Sequence, residues 1–191
     1  NLIQDLNFQG AKIDIWGIGT KLVTGYDQPS LGGVFKLVAM KDARESSEWK
    51  YRIKLSEQIA KVTTPGIHQV RRFYNLDSLL GDMIYDERNT PDLKSQVIVD
   101  PVDPTRRKEF APDVEYEDLL KPVVRDGKVI KSAARSDAED LEAIRKRRKH
   151  DMDRLHPSIR RFLNPHSYPV GLELELHNMK NEMILERRGF K

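Results

Sequence analysis

Cysteine is absent from the 191 residues. Disulfides and thiolate chemistry are therefore excluded, and a reducing, cytoplasmic location is the expectation. Long hydrophobic runs are missing too: nothing approaches the ~18 apolar residues of a membrane span, so no membrane partner is expected. Excess charge of one sign is small, 33 basic against 30 acidic side chains, for a formal net charge of +3 and a pI near 9.0. That balance requires no nucleic acid to explain it. Aromatic residues make up 7%. What remains is 38% hydrophobic and 33% charged, polar for a folded chain yet not a disordered composition. The length suits one ordinary domain or two small ones, and neither an internal repeat nor a low-complexity tract is visible.

What is present begins with a glycine puzzle. Leu2, Ile3 and Leu6 fall at helical spacing, and Gly10 stands where a helix would stop. Lys12–Ile18 then reads as a strand that runs straight into Gly17-Ile18-Gly19-Thr20. The first residue is Asn1 rather than an initiator methionine. A helix feeding a strand normally follows an earlier strand, so the expectation is a C-terminal piece of a longer protein.

Beyond Pro29, Gly32 and Gly33, strands are predicted at Val34–Met40 and Trp49–Leu55, joined as an antiparallel hairpin. Two more are predicted at Gln69–Tyr74 and Gly81–Tyr85. The segment 86–112, with Pro91, Pro101, Pro104 and Pro112, reads as loop or edge structure with one short strand at Gln96–Val99. Asp126-Gly127 between valine-rich runs signals a hairpin turn. Ser136 with Glu139 has capping-box spacing for a helix reaching about Leu155. Pro157 opens a short helix stopped by Asn164-Pro165, and a third helix is expected from about Leu172 to Arg188.

Four groups of residues are candidates for chemistry. A glycine loop after a strand lets backbone N–H groups approach a phosphate, because no Cβ intervenes, and Thr20 adds a hydroxyl. The spacing alone favours a strand-ending turn, since neither a dinucleotide fingerprint nor a Gly-Lys-Ser/Thr loop is present. Arg145–Lys149 is a five-residue basic run that raises a nucleic-acid-binding alternative. On a helix its side chains point in nearly all directions, acids flank it, and no aromatics are interleaved for stacking; a solvated face is the stronger reading. His68, His150, His156, His166 and His177 show no metal-ligand spacing, so no metal site and no catalytic base is assigned among them. Arg106, Arg107 and Lys108 in "DPVDPTRRK" are suited to an anion, and a charged connecting loop is an equally good reading.

At this point "IDIWGIGTKLVTGYDQPSLGGVFKLVAM" resembles the strand, glycine loop and hairpin start of nicotinate phosphoribosyltransferases. "KLSEQIAKVTTPGIHQVRR", "DPVDPTRRK", "DGKVI", "LHPSIRRFLNPHSYPVGLE" and the closing helix continue the likeness in order, the last two resembling the bacterial type. The resemblance implies an α/β protein, α+β in this segment. Residues 1–30 would be the last strand and phosphate loop of an irregular α/β barrel, 31–135 a small, mainly antiparallel β domain, and 136–191 a C-terminal helical segment. It implies transfer of a phosphoribosyl group from 5-phosphoribosyl-1-pyrophosphate to nicotinate, in NAD biosynthesis, with coupled ATP hydrolysis, Mg²⁺ and a homodimer. It places the ribose 5-phosphate on Gly17, Gly19 and Thr20. The family's phosphorylated histidine matches none of the five histidines here, so no catalytic residue is expected in this chain and the chain alone is expected to be inactive. A structural remnant that binds no ligand is the other alternative.

Overall fold

The computed structural model describes residues 2–30, 33–42, 48–92, 94, 96–130 and 141–190. The positions of Ser136 and Glu139 lie outside them. The chain divides into two compact units. One comprises the described residues of Asn1–Lys36 with Phe162–Asn164, the other those of Leu37–Arg161 with Pro165–Lys191.

In the smaller unit, helix α1 (Leu2–Phe8) ends at Gly10, whose φ of +81° is the left-handed conformation expected at a glycine stop. Lys12–Ile18 is not the expected strand: residues 11–19 carry no regular secondary structure. A strand exists only by pairing its backbone with a neighbour, and no described segment runs alongside. The apolar side chains that suggested a buried strand stand open, Ile15 being 87% exposed. A single helical turn, α2 (Thr20–Val23), follows.

The larger unit is α+β and is built on a six-stranded sheet. Its first hairpin is shorter than expected, pairing only β1 (Ala39–Met40) with β2 (Lys50–Tyr51); residues 43–47 of its turn lie outside those described. Next come β3 (His68–Asn75), β4 (Ser78–Asp86), β5 (Gln96–Val99), β6 (Arg107–Phe110) and β7 (Glu115–Asp118). The expected Asp-Gly hairpin is present. It joins β8 (Val124–Arg125) to β9 (Lys128–Val129), with Asp126 and Gly127 both at positive φ, as a type I′ turn demands. Helices α3 (Leu141–Arg154) and α4 (Pro157–Arg160) follow, then β10 (Val170–Glu173) and α5 (Leu174–Arg187).

The sheet order is β6-β5-β10-β4-β3-β7. Expected as purely antiparallel, it is mixed, because β10 enters beside β4 in parallel and beside β5 antiparallel. This strand occupies residues expected to begin the last helix. Helix α5 starts without a loop, since the Glu173 carboxylate accepts the Leu176 N–H at 2.9 Å and satisfies one of the first-turn donors. It packs on β10 and β5 and buries Leu176, His177 and Lys180.

Phe73, Met83, Tyr85, Ile98 and Phe110 form the core, with the Phe73 and Phe110 rings stacked at 3.9 Å. The buried face of β3 also carries Gln69 and Arg71, and both are partnered. The Gln69 amide bonds both backbone groups of Leu120. Arg71 forks onto Asp118, with its guanidinium 4.0 Å from the Tyr116 ring. Two polar anchors on β3 thereby fix the register of edge strand β7.

The hairpin β1–β2 is tied to the sheet through Tyr51, which donates its hydroxyl to Asp86 at the end of β4. Burial first, then the neighbouring carboxylate, pushes the Tyr51 phenol up to about 12 from an ordinary value of 10.0. A pKa raised on folding means that the neutral phenol is the form the fold favours. Its stabilisation is complete below pH ~10 and is lost as pH rises towards ~12. Stability measured across that window is expected to fall, and Tyr51→Phe is expected to flatten the fall. An equally steep decline in the variant would assign it to another group.

Candidate functional site

The glycine loop leaves its backbone bare. Gly17 and Gly19 are exposed, and a Cβ built on either meets no atom within 4 Å. Neither glycine is therefore required by packing. The Gly19 carbonyl accepts the N–H groups of Leu22 and Val23 at 3.0 and 3.2 Å, which closes the turn of α2. Thr24 reinforces it, donating its hydroxyl to the Thr20 carbonyl at 2.7 Å. Gly25, at φ +57°, turns the chain back, with its N–H on the Leu22 carbonyl. Among the described residues, the N–H groups of Gly17, Ile18, Gly19 and Thr20 and the Thr20 hydroxyl make no hydrogen bond. The loop thus presents a short row of unpaired donors to open space, a geometry suited to an anion.

The basic run of α3 is solvent-exposed, and its two end residues are paired. Arg145 pairs with Glu142 at 2.9 Å, Lys149 with Asp153 at 2.6 Å, and Arg160 of α4 adds to Asp153 at 3.5 Å. Beneath that helix, Arg72 forks onto Asp82 at 3.0 and 2.9 Å, and Tyr168 donates to the same carboxylate at 2.8 Å. Burial and the adjacent Asp82 push the Tyr168 phenol well above its ordinary value.

The histidines take structural roles where the structure gives them partners. His68 bonds the Pro65 carbonyl at 2.9 Å. His156 caps α4, accepting the Ser158 N–H at 3.2 Å. The buried His177 ring lies 3.2 Å from the Asn181 amide nitrogen. Among the described residues no three His, Asp or Glu side chains gather as a metal ion would require.

"DPVDPTRRK" is a loop that runs into a strand, because its last two residues, Arg107 and Lys108, belong to β6. Sequence reasoning missed that strand and its neighbour across the groove. Pairing of β10 with β5 brings Ser167, Tyr168 and Pro169 beside Asp100, Arg106, Arg107 and Lys108 around a cavity of about 340 Å³. No local signal joins two stretches some sixty residues apart.

A family model described as nicotinate phosphoribosyltransferase C-terminal domain matches residues 67–180. The nicotinate phosphoribosyltransferase of Bacillus subtilis (strain 168) is 34% identical over 188 residues, covering 96% of this chain and 36% of that protein. Nicotinate phosphoribosyltransferase 1 of Arabidopsis thaliana is 32% identical over 179 residues, covering 92% of this chain and 30% of its own. A crystal structure of human nicotinic acid phosphoribosyltransferase superposes with a TM-score of 0.48 at 24% identity, over 64% of this chain and 24% of that one. The chain spans about a third of the length of these curated relatives.

Proposed function

Because the chain belongs to the nicotinate phosphoribosyltransferase C-terminal domain family, we propose that it serves as the C-terminal part of an enzyme that joins nicotinate to 5-phosphoribosyl-1-pyrophosphate. Nicotinate mononucleotide and pyrophosphate are the products, on the route to NAD. The observation that carries this reading is the continuity of the likeness. The Bacillus subtilis match leaves only about eight of the 191 residues outside it, so its span takes in the glycine loop as well as the sheet.

The loop's part is to hold the 5-phosphate of the ribose. The unpaired N–H groups of Gly17–Thr20 and the Thr20 hydroxyl are donors that a phosphate's terminal oxygens need. The open space around Gly17 and Gly19 lets the ligand reach the main chain. Anchoring the phosphate fixes the sugar, so that the attacking ring nitrogen and the departing pyrophosphate lie in line at the anomeric carbon. Binding energy at that remote end accelerates the reaction only through such orientation.

Mg²⁺ and ATP belong to the same reading: the ion would neutralise charge on the leaving pyrophosphate. Among the described residues no three His, Asp or Glu side chains gather to hold it. This chain's contribution is phosphate binding and a scaffold; base recognition and the coupling to ATP fall to other residues of a homodimeric, cytoplasmic enzyme.

The test combines two measurements. This chain alone is expected to turn over no nicotinate. In the complete enzyme, Thr20→Val is expected to weaken binding of the phosphoribosyl donor about tenfold or more, the cost of one hydrogen bond to a charged group, without lowering the melting temperature. Turnover by the isolated chain, or unchanged donor affinity in the variant, would overturn the corresponding assignment.

A further inference from the structure

The groove between β6 and the segment leading into β10 has no role in the reading above and lies in the larger unit, apart from the glycine loop in sequence. We propose that this groove is a second anion site, built to take the phosphoryl group of a small molecule on Arg106 and Arg107.

The loop that presents these side chains is closed on itself. The Asp100 carboxylate accepts the N–H groups of Val102 and Asp103 at 2.8 and 3.1 Å. Asp103 accepts the Thr105 hydroxyl and N–H at 2.6 and 3.1 Å. The Asp100 N–H reaches the Arg106 carbonyl at 3.0 Å, and the Arg106 N–H the Asp103 carbonyl at 3.0 Å. A loop fixed by its own bonds loses little freedom when a ligand binds.

The charges it presents are only partly used. Arg107 spends its Nε on the Pro104 carbonyl at 3.2 Å, and among the described residues it has no carboxylate partner. Arg106 lies 3.7 Å from Asp100, beyond hydrogen-bond range, with its side chain 65% exposed. Lys108 is half-buried and donates to the Leu80 carbonyl at 2.6 Å, again with no carboxylate beside it. Burial lowers the Lys108 pKa. Two guanidinium groups therefore stand against one carboxylate in the lining of the cavity, Asp100, whose own pKa is held down first by the two backbone N–H groups it accepts.

The donor geometry selects the ligand class. One guanidinium fork satisfies a planar carboxylate. Two neighbouring forks and the Ser167 hydroxyl, which makes no bond among the described residues, offer more donors than two oxygens take up. A tetrahedral phosphoryl group, with three terminal oxygens, matches that supply. The volume of about 340 Å³ lies at the small end of ligand pockets, ~300–1,000 Å³, enough for the phosphate and a modest substituent.

The experiment follows backbone amide shifts of this chain during titration with inorganic phosphate, pyrophosphate or adenosine monophosphate at matched ionic strength, with chloride as control. Saturable shifts confined to residues 100–108 and 167–170 are expected at millimolar or lower ligand. The ligand that saturates first identifies the substituent. Arg106→Ala with Arg107→Ala, two exposed positions whose loss leaves the core intact, is expected to weaken binding at least about tenfold. Asp100→Asn, which removes the opposing charge, is expected to tighten it. Shifts that grow linearly, follow chloride, or persist unchanged in the double variant would overturn the site. Shifts at residues 17–20 report on the glycine loop separately, so failure of either site leaves the other readable.

Discussion

Asp82→Ala is expected to cost about 3–5 kcal/mol, the range for removing one partner of a buried ion pair. The Arg72 side chain is 18% exposed and that of Asp82 11%, so water does not replace what the carboxylate supplies. Asp82 accepts two parallel bonds from Arg72, at 3.0 and 2.9 Å, and a third from Tyr168 at 2.8 Å. Its removal leaves the guanidinium only the more distant Asp151 at 3.5 Å, and leaves a half-buried phenol without its acceptor. The triad links β3, β4 and the segment before β10, so its loss loosens the centre of the sheet rather than one edge. Tyr168→Phe, which removes one neutral donor to a charged acceptor, is expected to cost about 1.5–3 kcal/mol. The double replacement Arg72→Met with Asp82→Leu is expected to recover part of the loss, because two apolar side chains avoid desolvating the pair, while Tyr168 still lacks its acceptor. Urea denaturation of the three variants checks this. If Asp82→Ala unfolds at the wild-type midpoint, water or Asp151 carries the charge and the triad is not a structural centre.

The parts of this fold legible in the sequence are those whose signal is local. Alternation in "HQVRRFY", the β-branched run "QVIV", Asp126-Gly127 and Pro157 each announce their element because turn chemistry or periodicity acts within a few residues. The missed strands fail for a shared reason. Strands β6 and β7 are "RKEF" and "EYED", and they form the two edges of the six-stranded sheet. An edge strand faces solvent along one side, and charge there prevents pairing with other molecules; the same charge makes it read as a loop. Strand β10 hides differently. "VGLELEL" carries a strand and a helix start with no punctuation, since Glu173 both ends one and caps the other. At Lys12–Ile18 the error runs the opposite way: an apolar pattern signals a need for burial, not the presence of a neighbour to provide it. The glycine loop was visible as residues. The groove at Arg106 and Arg107 needed the missed strand β10 before its two walls met.

That same strand makes Gly171 the position where one added carbon should matter most. A Cβ built there lies 2.8 Å from the Val99 carbonyl oxygen, 2.9 Å from Ile98 Cβ and 3.0 Å from the Val99 carbonyl carbon. Two of the three obstacles are main-chain atoms of β5, so no rotamer change relieves the clash; the strands must separate. The backbone of Gly171 is not in the left-handed region, so an alanine there incurs no dihedral strain. It would even gain about 0.4–1 kcal/mol by restricting the unfolded chain. The sign of the measured effect therefore isolates the steric cost, about 1–3 kcal/mol for overpacking, which should win. Gly171→Ala is expected to lower the urea midpoint with an unchanged slope. Gly171→Val, with two further methyls against the same backbone, is expected to prevent β10 from entering between β4 and β5. Because β10 stands between β5 and β4 in the sheet order, its exclusion would break the strand pairing at the centre of the sheet and strain the stack of Phe110 on Phe73. An alanine variant as stable as the parent would mean that β5 and β10 can part by several tenths of an ångström at no cost, and that the sheet's centre is not close-packed.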